Sequence, residues 1–519
     1  MKIQINEELI YYCKSKIDQK TIAKKRFCEK DIVRFLQDDT PDKICGIYGL
    51  RRTGKTTMML QAIRDIGIDD CAYIICNNND SYIELEENIQ ALNKKYIFID
   101  EITKVKDFIN LSSSLSDIMS NKEKKIVITG TDSASLLFAK NDELFDRMDV
   151  IHTTYIPYAE YNYLFGKSLE EYIQYGGTLT NGKQLYNDDN LDEYTNTAIL
   201  SNIYHSVENS HGNLPYRRLY DLLLSNSLEA AVNKTIEIRA REFSIKVVKG
   251  AFTKSHDFGS ARDLILKNRG NINKDDIKTI DTMNTDGICK FLADKLSLHE
   301  VKDFNDTDIT LITNLLKKLN VLTVMPDSDI IFTQPGMQYA FTETLIEGIL
   351  ASTEYKRLFP ETQRIVLDKI MQDSIGHILE NVIRVDVMKC SALAHMIVGK
   401  HDNIGNGEFD LYIINPQNQK AAVYEIKRTD VCYDKQCKHL INPDFCQKFE
   451  QINNCAIVDR AVIYQGVNVT QQVNNTLINY YNAGRFLADI PKYTAILKET
   501  IEKDRGMMEE QRIDSHNRE

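Results

Sequence analysis

Short apolar runs alternate with amphipathic stretches through the first third of the chain. Ile44–Tyr48, Ala72–Cys76, Tyr96–Ile99 and Lys125–Thr129 are continuous and apolar, the pattern of strands buried on both faces. Helix-like stretches separate them, and this β-α-β-α rhythm predicts a parallel sheet covered on both sides. A polar break at Asn181–Glu193 predicts a surface loop, and Tyr194 to Asp303 is mostly helical in pattern. Thr307–Leu319 then carries Ile309, Ile312, Leu315, Leu316 and Leu319 at helical spacing. Val321–Met325, the turn Pro326-Asp327-Ser328-Asp329 and Ile330–Phe332 follow as a hairpin, so this region has the outline of a winged helix. Such an element either binds DNA or packs as a lid. Further on, Gly407–Ile414, the turn Asn415-Pro416-Gln417-Asn418 and Ala421–Lys427 predict a second hairpin. The charged tail from Glu502 to Glu519 has almost no large apolar residue and is expected to be disordered.

At 519 residues the chain is too long for one core, and about three domains are expected. The 64 basic and 75 acidic residues leave a net charge of −11, which argues against a surface coated in positive charge but not against a local basic groove. Met1–Ile10 lacks the apolar centre of a secretory leader, and the run Cys71–Cys76 is far short of the ~20 residues a membrane span needs. The 11 scattered cysteines fit reduced thiols, so a cytoplasmic protein with no membrane partner is expected. Cys432 and Cys437 have the spacing of a zinc half-site, with His439, Cys446 and Cys455 following. The last two are too far apart for the usual second pair, which favours incidental thiols.

The most specific chemistry lies between the first predicted strand and helix. Gly49-Leu50-Arg51-Arg52-Thr53-Gly54-Lys55-Thr56 fully matches the phosphate-loop pattern G-x-x-x-x-G-K-[ST]. Gly49 and Gly54 permit the tight path that turns successive N–H groups onto an anion, and the helix N-terminus adds its positive end. Gly49, Arg52, Thr53, Gly54, Lys55, Thr56 and Thr57 are therefore expected to bind ATP, with Lys55 on the β- and γ-phosphates and the Thr56 hydroxyl on Mg²⁺. Tyr96–Asp100 ends in Asp100-Glu101. Asp100 would hold Mg²⁺ through its water shell, and Glu101 would polarise the attacking water. Thr129, closing the next buried strand, stands where a γ-phosphate sensor would lie. Arg147 is a candidate transition-state arginine, although an arginine at a domain junction is more often a structural ion pair.

Together, GLRRTGKTT, YIFIDEI, KIVITGTDSASLL, Arg147, IPYAEYNYLFG and YIQYGGT resemble the archaeal-type AAA+ ATPases over about Lys43 to Thr178. Phe145-Asp146 departs from the family's usual glycine before the arginine, and Pro157-Tyr158 from its Ser-Phe.

A second constellation follows. Asp410 and Glu425 would stand at the ends of adjacent strands, and Lys427, two residues on from Glu425, shares its face. This is the arrangement of PD-(D/E)XK nucleases, in which two acids hold Mg²⁺ or Mn²⁺ and a lysine stabilises developing charge on a phosphodiester. Helical Glu380 is placed as an outer acid. GHILEN, GEFD and YEIK also resemble the restriction-endonuclease-like domain fused to such ATPases.

The resulting expectation is an α/β protein in four parts. A P-loop AAA+ domain with an N-terminal extension spans 1–180, and a helical and winged-helix connector spans 194–340. A PD-(D/E)XK-like domain follows at 341–500 and a tail at 501–519. Two readings are open for the C-terminal part: binding and cleavage of DNA, or non-catalytic docking of protein or DNA driven by a nucleotide switch. A homo-oligomer fits either.

Overall fold

A computed structural model describes residues 1–17, 24–38, 43–106, 124–130, 147–179, 195–209, 216–253, 305–350, 360–403 and 407–498. The loop expected at Asn181–Glu193, the serine-containing stretch from Thr131 and the Glu502–Glu519 tail lie outside these residues. The chain separates into two compact units. One comprises Met1–Val324 and Ile330–Ile375, the other Met325–Asp329 and Gly376–Glu519.

The first unit is built on a six-stranded sheet of β1 (Lys2–Ile5), β2 (Ile44–Tyr48), β3 (Cys71–Ile75), β4 (Tyr96–Asp100), β5 (Lys125–Thr129) and β6 (Met148–His152), in the order β1-β3-β4-β5-β2-β6. Only β1 runs antiparallel to its neighbour. The strands that read as continuous apolar runs are those buried on both faces. β2 is buried at every position, with helix-side cores above and below it. Because β2 lies between β5 and β6, the chain leaves it in one direction and later returns on its other side. Open α/β sheets bind ligands at the carboxyl ends of strands at such a switch point.

Helices α1 (Asn6–Ile17), α2 (Glu29–Gln37), α3 (Lys55–Ile66) and α4 (Tyr82–Ala91) cover the sheet. α2 illustrates why they form. Ile32, Phe35 and Leu36 recur on one face and are buried, while Lys30 and Arg34 on the other are exposed. After β6 come α5 (Tyr158–Phe165) and α6 (Leu169–Tyr175), the latter started by a reciprocal Ser168–Glu171 capping box.

A helical region follows, with α7 (Ser201–Asn209), α8 (Arg217–Leu224), α9 (Leu228–Thr253) and α10 (Asp306–Lys318). The apolar stripe of the sequence puts Ile312, Leu315 and Leu316 of α10 into its core. β7 (Leu322–Val324) and β8 (Ile330–Phe332) pair antiparallel, so the helix and hairpin read from the sequence are both present. α11 (Pro335–Leu350) and the long α12 (Pro360–Met388) continue the chain.

The second unit holds a mixed sheet of β9 (Ile397–Asn403), β10 (Gly407–Asn415), β11 (Lys420–Ile426), β12 (Ala456–Tyr464), β13 (Val469–Val473) and β14 (Thr476–Asn482). Its order is β13-β14-β12-β11-β10-β9. β10 and β11 form the expected hairpin, and β11, β12 and β14 run parallel. α13 (Pro443–Asn453) buries Phe445 and Phe449 against Phe409 in an aromatic core.

Candidate functional site

The phosphate loop leaves the carboxyl end of β2 and enters α3. Its two glycines are there because the backbone demands them. Gly49 has φ +148°, and a side chain would meet the Thr154 backbone nitrogen at 2.9 Å; Gly54 has φ +88° and faces Leu179. Arg52 also takes a left-handed conformation, at φ 62°. The buried Lys55 amine donates to the carbonyls of Gly49 at 2.8 Å and Leu50 at 3.0 Å, curling back over the loop. Burial lowers its pKa to about 8, against the opposing pull of Glu101 and Asp100.

The acid strand ends beside this loop. The Asp100 carboxylate accepts from the Thr56 hydroxyl at 2.8 Å, from the Tyr73 hydroxyl at 2.6 Å and from the Thr129 hydroxyl at 3.4 Å. Burial raises its pKa while the Tyr73 and Thr56 hydroxyls pull it back down. Glu101 follows in a left-handed conformation at φ 60°, with the Lys104 amine 3.7 Å away. Tyr73 is the member of this cluster that motif reading missed, because it lies on β3 outside every signature. The only signal was its apolar strand, adjacent to β4.

Arg147 is placed differently. Its carbonyl accepts from Ile44 N at 2.8 Å, just before β6, whereas the loop leaves the opposite end of the parallel β2. Its guanidinium is therefore not brought to the loop of its own chain, because the length of β2 intervenes. Arg51 and Arg52 are exposed on the loop, and Thr57 is half-buried in the first turn of α3.

Residues 41–162 match the model of the family described as "AAA domain". This segment is an AAA+ ATPase domain. No curated protein matches the chain. Among solved structures, the Aeropyrum pernix ORC2 protein matches with 11% identity over 62% of this chain and 94% of its own, at a TM-score of 0.31. Cdc6p of Pyrobaculum aerophilum gives 11% identity, 63% and 96% coverage and a TM-score of 0.20. S. cerevisiae Hsp104 gives 13% identity, 86% and 65% coverage and a TM-score of 0.24. These likenesses are too distant to bear on function.

The AAA+ domain is joined to the helical region through its own phosphate loop. Leu50 is fully buried in the core formed by Ile199, Leu316, Leu319 and Phe332, among others. The Thr154 hydroxyl donates to the Leu319 carbonyl at 3.4 Å and accepts from Leu50 N at 3.1 Å. Asn320, just past α10, meets a ring nitrogen of His152 at 2.7 Å, and that ring stands edge-on to Tyr48.

In the second unit Asp410, within β10, and Glu425, near the end of β11, lie one step beyond the Leu411–Tyr424 pair at which the ladder between these strands ends. The Lys427 amine lies 2.9 Å from Asp410 and 2.7 Å from Glu425. Asp410 also accepts from Ile426 N at 2.8 Å. Burial works against the Asp410 anion, but Lys427 and the Ile426 N–H hold its pKa low. Burial raises that of Glu425. Burial alone would lower the Lys427 pKa, and the two carboxylates together raise it.

Glu380, on α12, pairs with His377 at 3.4 Å. Together with Glu408 and Asp410 it raises the Lys400 pKa against the effect of burial. Lys400 belongs to no motif in the sequence, where His439 stands only as a neighbour of thiols. His439 instead lies 3.0 Å from Glu425. Among the described residues no group of three or more His, Cys, Asp or Glu side chains is arranged to hold a metal ion, and this includes the cysteines around Cys437. No helix among the described residues is long and apolar enough to cross a membrane.

Proposed function

We propose that the chain is an ATP-hydrolysing switch whose C-terminal unit acts as a non-catalytic docking module. The observation carrying the ATPase half is the convergence of Lys55, Thr56, Asp100 and Thr129 at the carboxyl ends of β2, β4 and β5. The loop N–H groups would cradle the phosphates, and Lys55 would exchange its carbonyl partners for phosphate oxygens. The Thr56 hydroxyl and Asp100 carboxylate are hard oxygen donors suited to the Mg²⁺ that accompanies ATP, which would offset phosphate charge. Glu101 would orient a water towards the γ-phosphorus and take its proton as the bond to ADP breaks. Arg147, at the far end of its strand, fits a role at a neighbouring copy better than one in its own site. Phosphate release assayed for wild type, Lys55→Ala and Glu101→Gln tests this; equal rates in all three would sink the ATPase reading.

The docking half is supported by the charge balance around Lys427. Its amine occupies the space between the two carboxylates that a divalent ion would share, as expected of an ion-paired remnant. Leu50 and the α10–β8 core favour a packing or lid role for the helix–hairpin element over DNA reading. A second reading remains specific enough to test. Asp410, Glu425 and Lys427 have the juxtaposition of a PD-(D/E)XK site, in which Mg²⁺ or Mn²⁺ would sit on the acids and DNA would be cut, with Glu380 as an outer acid. Incubating linear, circular and single-stranded DNA with each metal, with and without ATP, separates the two readings. Metal-dependent cleavage abolished by Asp410→Ala would replace docking with catalysis.

A further inference from the structure

Arg26 lies ahead of α2, outside every motif named above, and is only 5% exposed. Its Nε and Nη2 donate to the two oxygens of Glu160, at 2.6 and 3.3 Å. Nη1 donates to the Thr53 carbonyl at 2.6 Å and the Thr153 carbonyl at 3.1 Å, and Nη2 to the Tyr155 carbonyl at 3.1 Å. The bonds thus number as many as the N–H groups a guanidinium carries. Glu160, 2% exposed, is itself held by the Phe27 N–H at 2.7 Å. A buried ion pair alone would be satisfied by the carboxylate. The strong extra bond to Thr53 reaches into the phosphate loop.

Its consequence follows from peptide geometry. In a planar trans peptide the carbonyl and the next N–H point in opposite directions. Drawing the Thr53 oxygen onto Arg26 therefore turns the Gly54 N–H away from Arg26. A full positive charge on the carbonyl also makes that N–H a stronger donor. The same peptide is steadied by the Thr53 hydroxyl, which donates to the Leu50 carbonyl at 2.8 Å and lies 2.7 Å from the Thr153 hydroxyl. The preceding carbonyl, of Arg52, accepts from Leu179 N at 2.8 Å. The loop is thus braced from outside through its carbonyls.

We infer that Arg26 is a positioning residue for the nucleotide, holding the Thr53–Gly54 peptide so that the Gly54 N–H faces the β-phosphate. This rests on the ATP-binding reading above. The phosphate end of the ligand is affected and the nucleoside end is not, which separates this role from a general contribution to folding.

The test is the affinity of the full chain for ADP and AMP, with thermal unfolding followed in parallel. Arg26→Gln is expected to weaken ADP by about tenfold and AMP by less than about twofold, the loss of one charge-assisted bond to the loop. Glu160→Gln breaks the ion pair but keeps the guanidinium on Thr53. It should lower the unfolding temperature and leave ADP affinity within about twofold. Should Arg26→Gln fail to fold, Arg26→Lys retains charge beside Glu160 with donors on a single nitrogen, and it carries the same expectation for ADP. The inference is overturned if the folded Arg26 variant binds ADP like wild type, or loses AMP affinity equally. It is also overturned if Glu160→Gln weakens ADP as much as the Arg26 variant does. Failure of wild type to bind ADP removes the ATPase reading as well, a distinguishable result.

Discussion

The Thr56 hydroxyl donates to the Asp100 carboxylate over 2.8 Å, joining two motif halves that are 44 residues apart in the chain. Tyr73 donates to the same oxygen, so that oxygen is held by two hydroxyls. The carboxylate is thus preorganised at the mouth of the loop. Asp100→Asn keeps the shape but removes the charge, and it should lower ATP turnover at least about 100-fold while ADP still binds. Glu101→Gln should do the same through loss of the proton acceptor. Single-turnover phosphate release alongside fluorescent-nucleotide binding checks both, and unchanged turnover in either would remove that residue from the chemistry.

Lys55 should make nucleotide affinity pH-dependent. In the free protein its pKa is lowered from 10.5 to about 8, chiefly by burial, and phosphates would raise it again. Below pH 8 the amine is charged in both states and affinity is flat. Above pH 8 binding takes up a proton, and affinity should fall by up to about tenfold per pH unit. For the free protein the sign is also set. The unfolded chain binds more protons between pH 8 and 10.5, so the burial penalty on this amine eases as pH rises. Calorimetry in buffers of different ionisation heat should detect proton uptake at pH 9 and none at pH 7.

Leu50 anchors the phosphate loop in the helical core. Leu50→Ala should destabilise the first unit by about 2–4 kcal/mol, because a fully buried side chain leaves a cavity among packed neighbours. Urea unfolding monitors this, and a loss below about 1 kcal/mol would mean that the core closes without the loop.

The two readings of the second unit diverge at Lys427. Lys427→Met keeps the stem and leaves Asp410 and Glu425, 3% and 4% exposed at their side chains, facing one another. With docking alone, stability at neutral pH should drop by about 3 kcal/mol or somewhat less, since Lys427 itself is partly exposed. Part should return on acidification, when one of the crowded acids takes a proton. With catalysis, Mg²⁺ or Mn²⁺ should restore much of that stability by replacing the lysine charge. Denaturation at pH 5 and 7, with and without metal, distinguishes them.

Local pattern was enough for the elements that one segment specifies alone. The G-x-x-x-x-G-K-T run marks its own loop because the glycines and the lysine are consecutive and the backbone path is local. Continuous apolar runs likewise mark β2 to β5, since strands buried on both faces need no partner to be recognised. The acids at 100 and 101 were legible for the same reason. Arg26 and Glu160 were not, being 134 residues apart and meeting only once β6 and α5 have folded around the loop. Tyr73, Lys400 and the contact of His439 with Glu425 were hidden in the same way. Arg147 shows the converse, since its position in the motif order suggested the site and the direction of β6 carried it to the other end of the sheet. Sequence determined which groups are present and how short segments run. Only the tertiary structure decided which of them share a charge or a hydrogen bond, because those energies act over a few ångströms of space, whatever their separation along the chain.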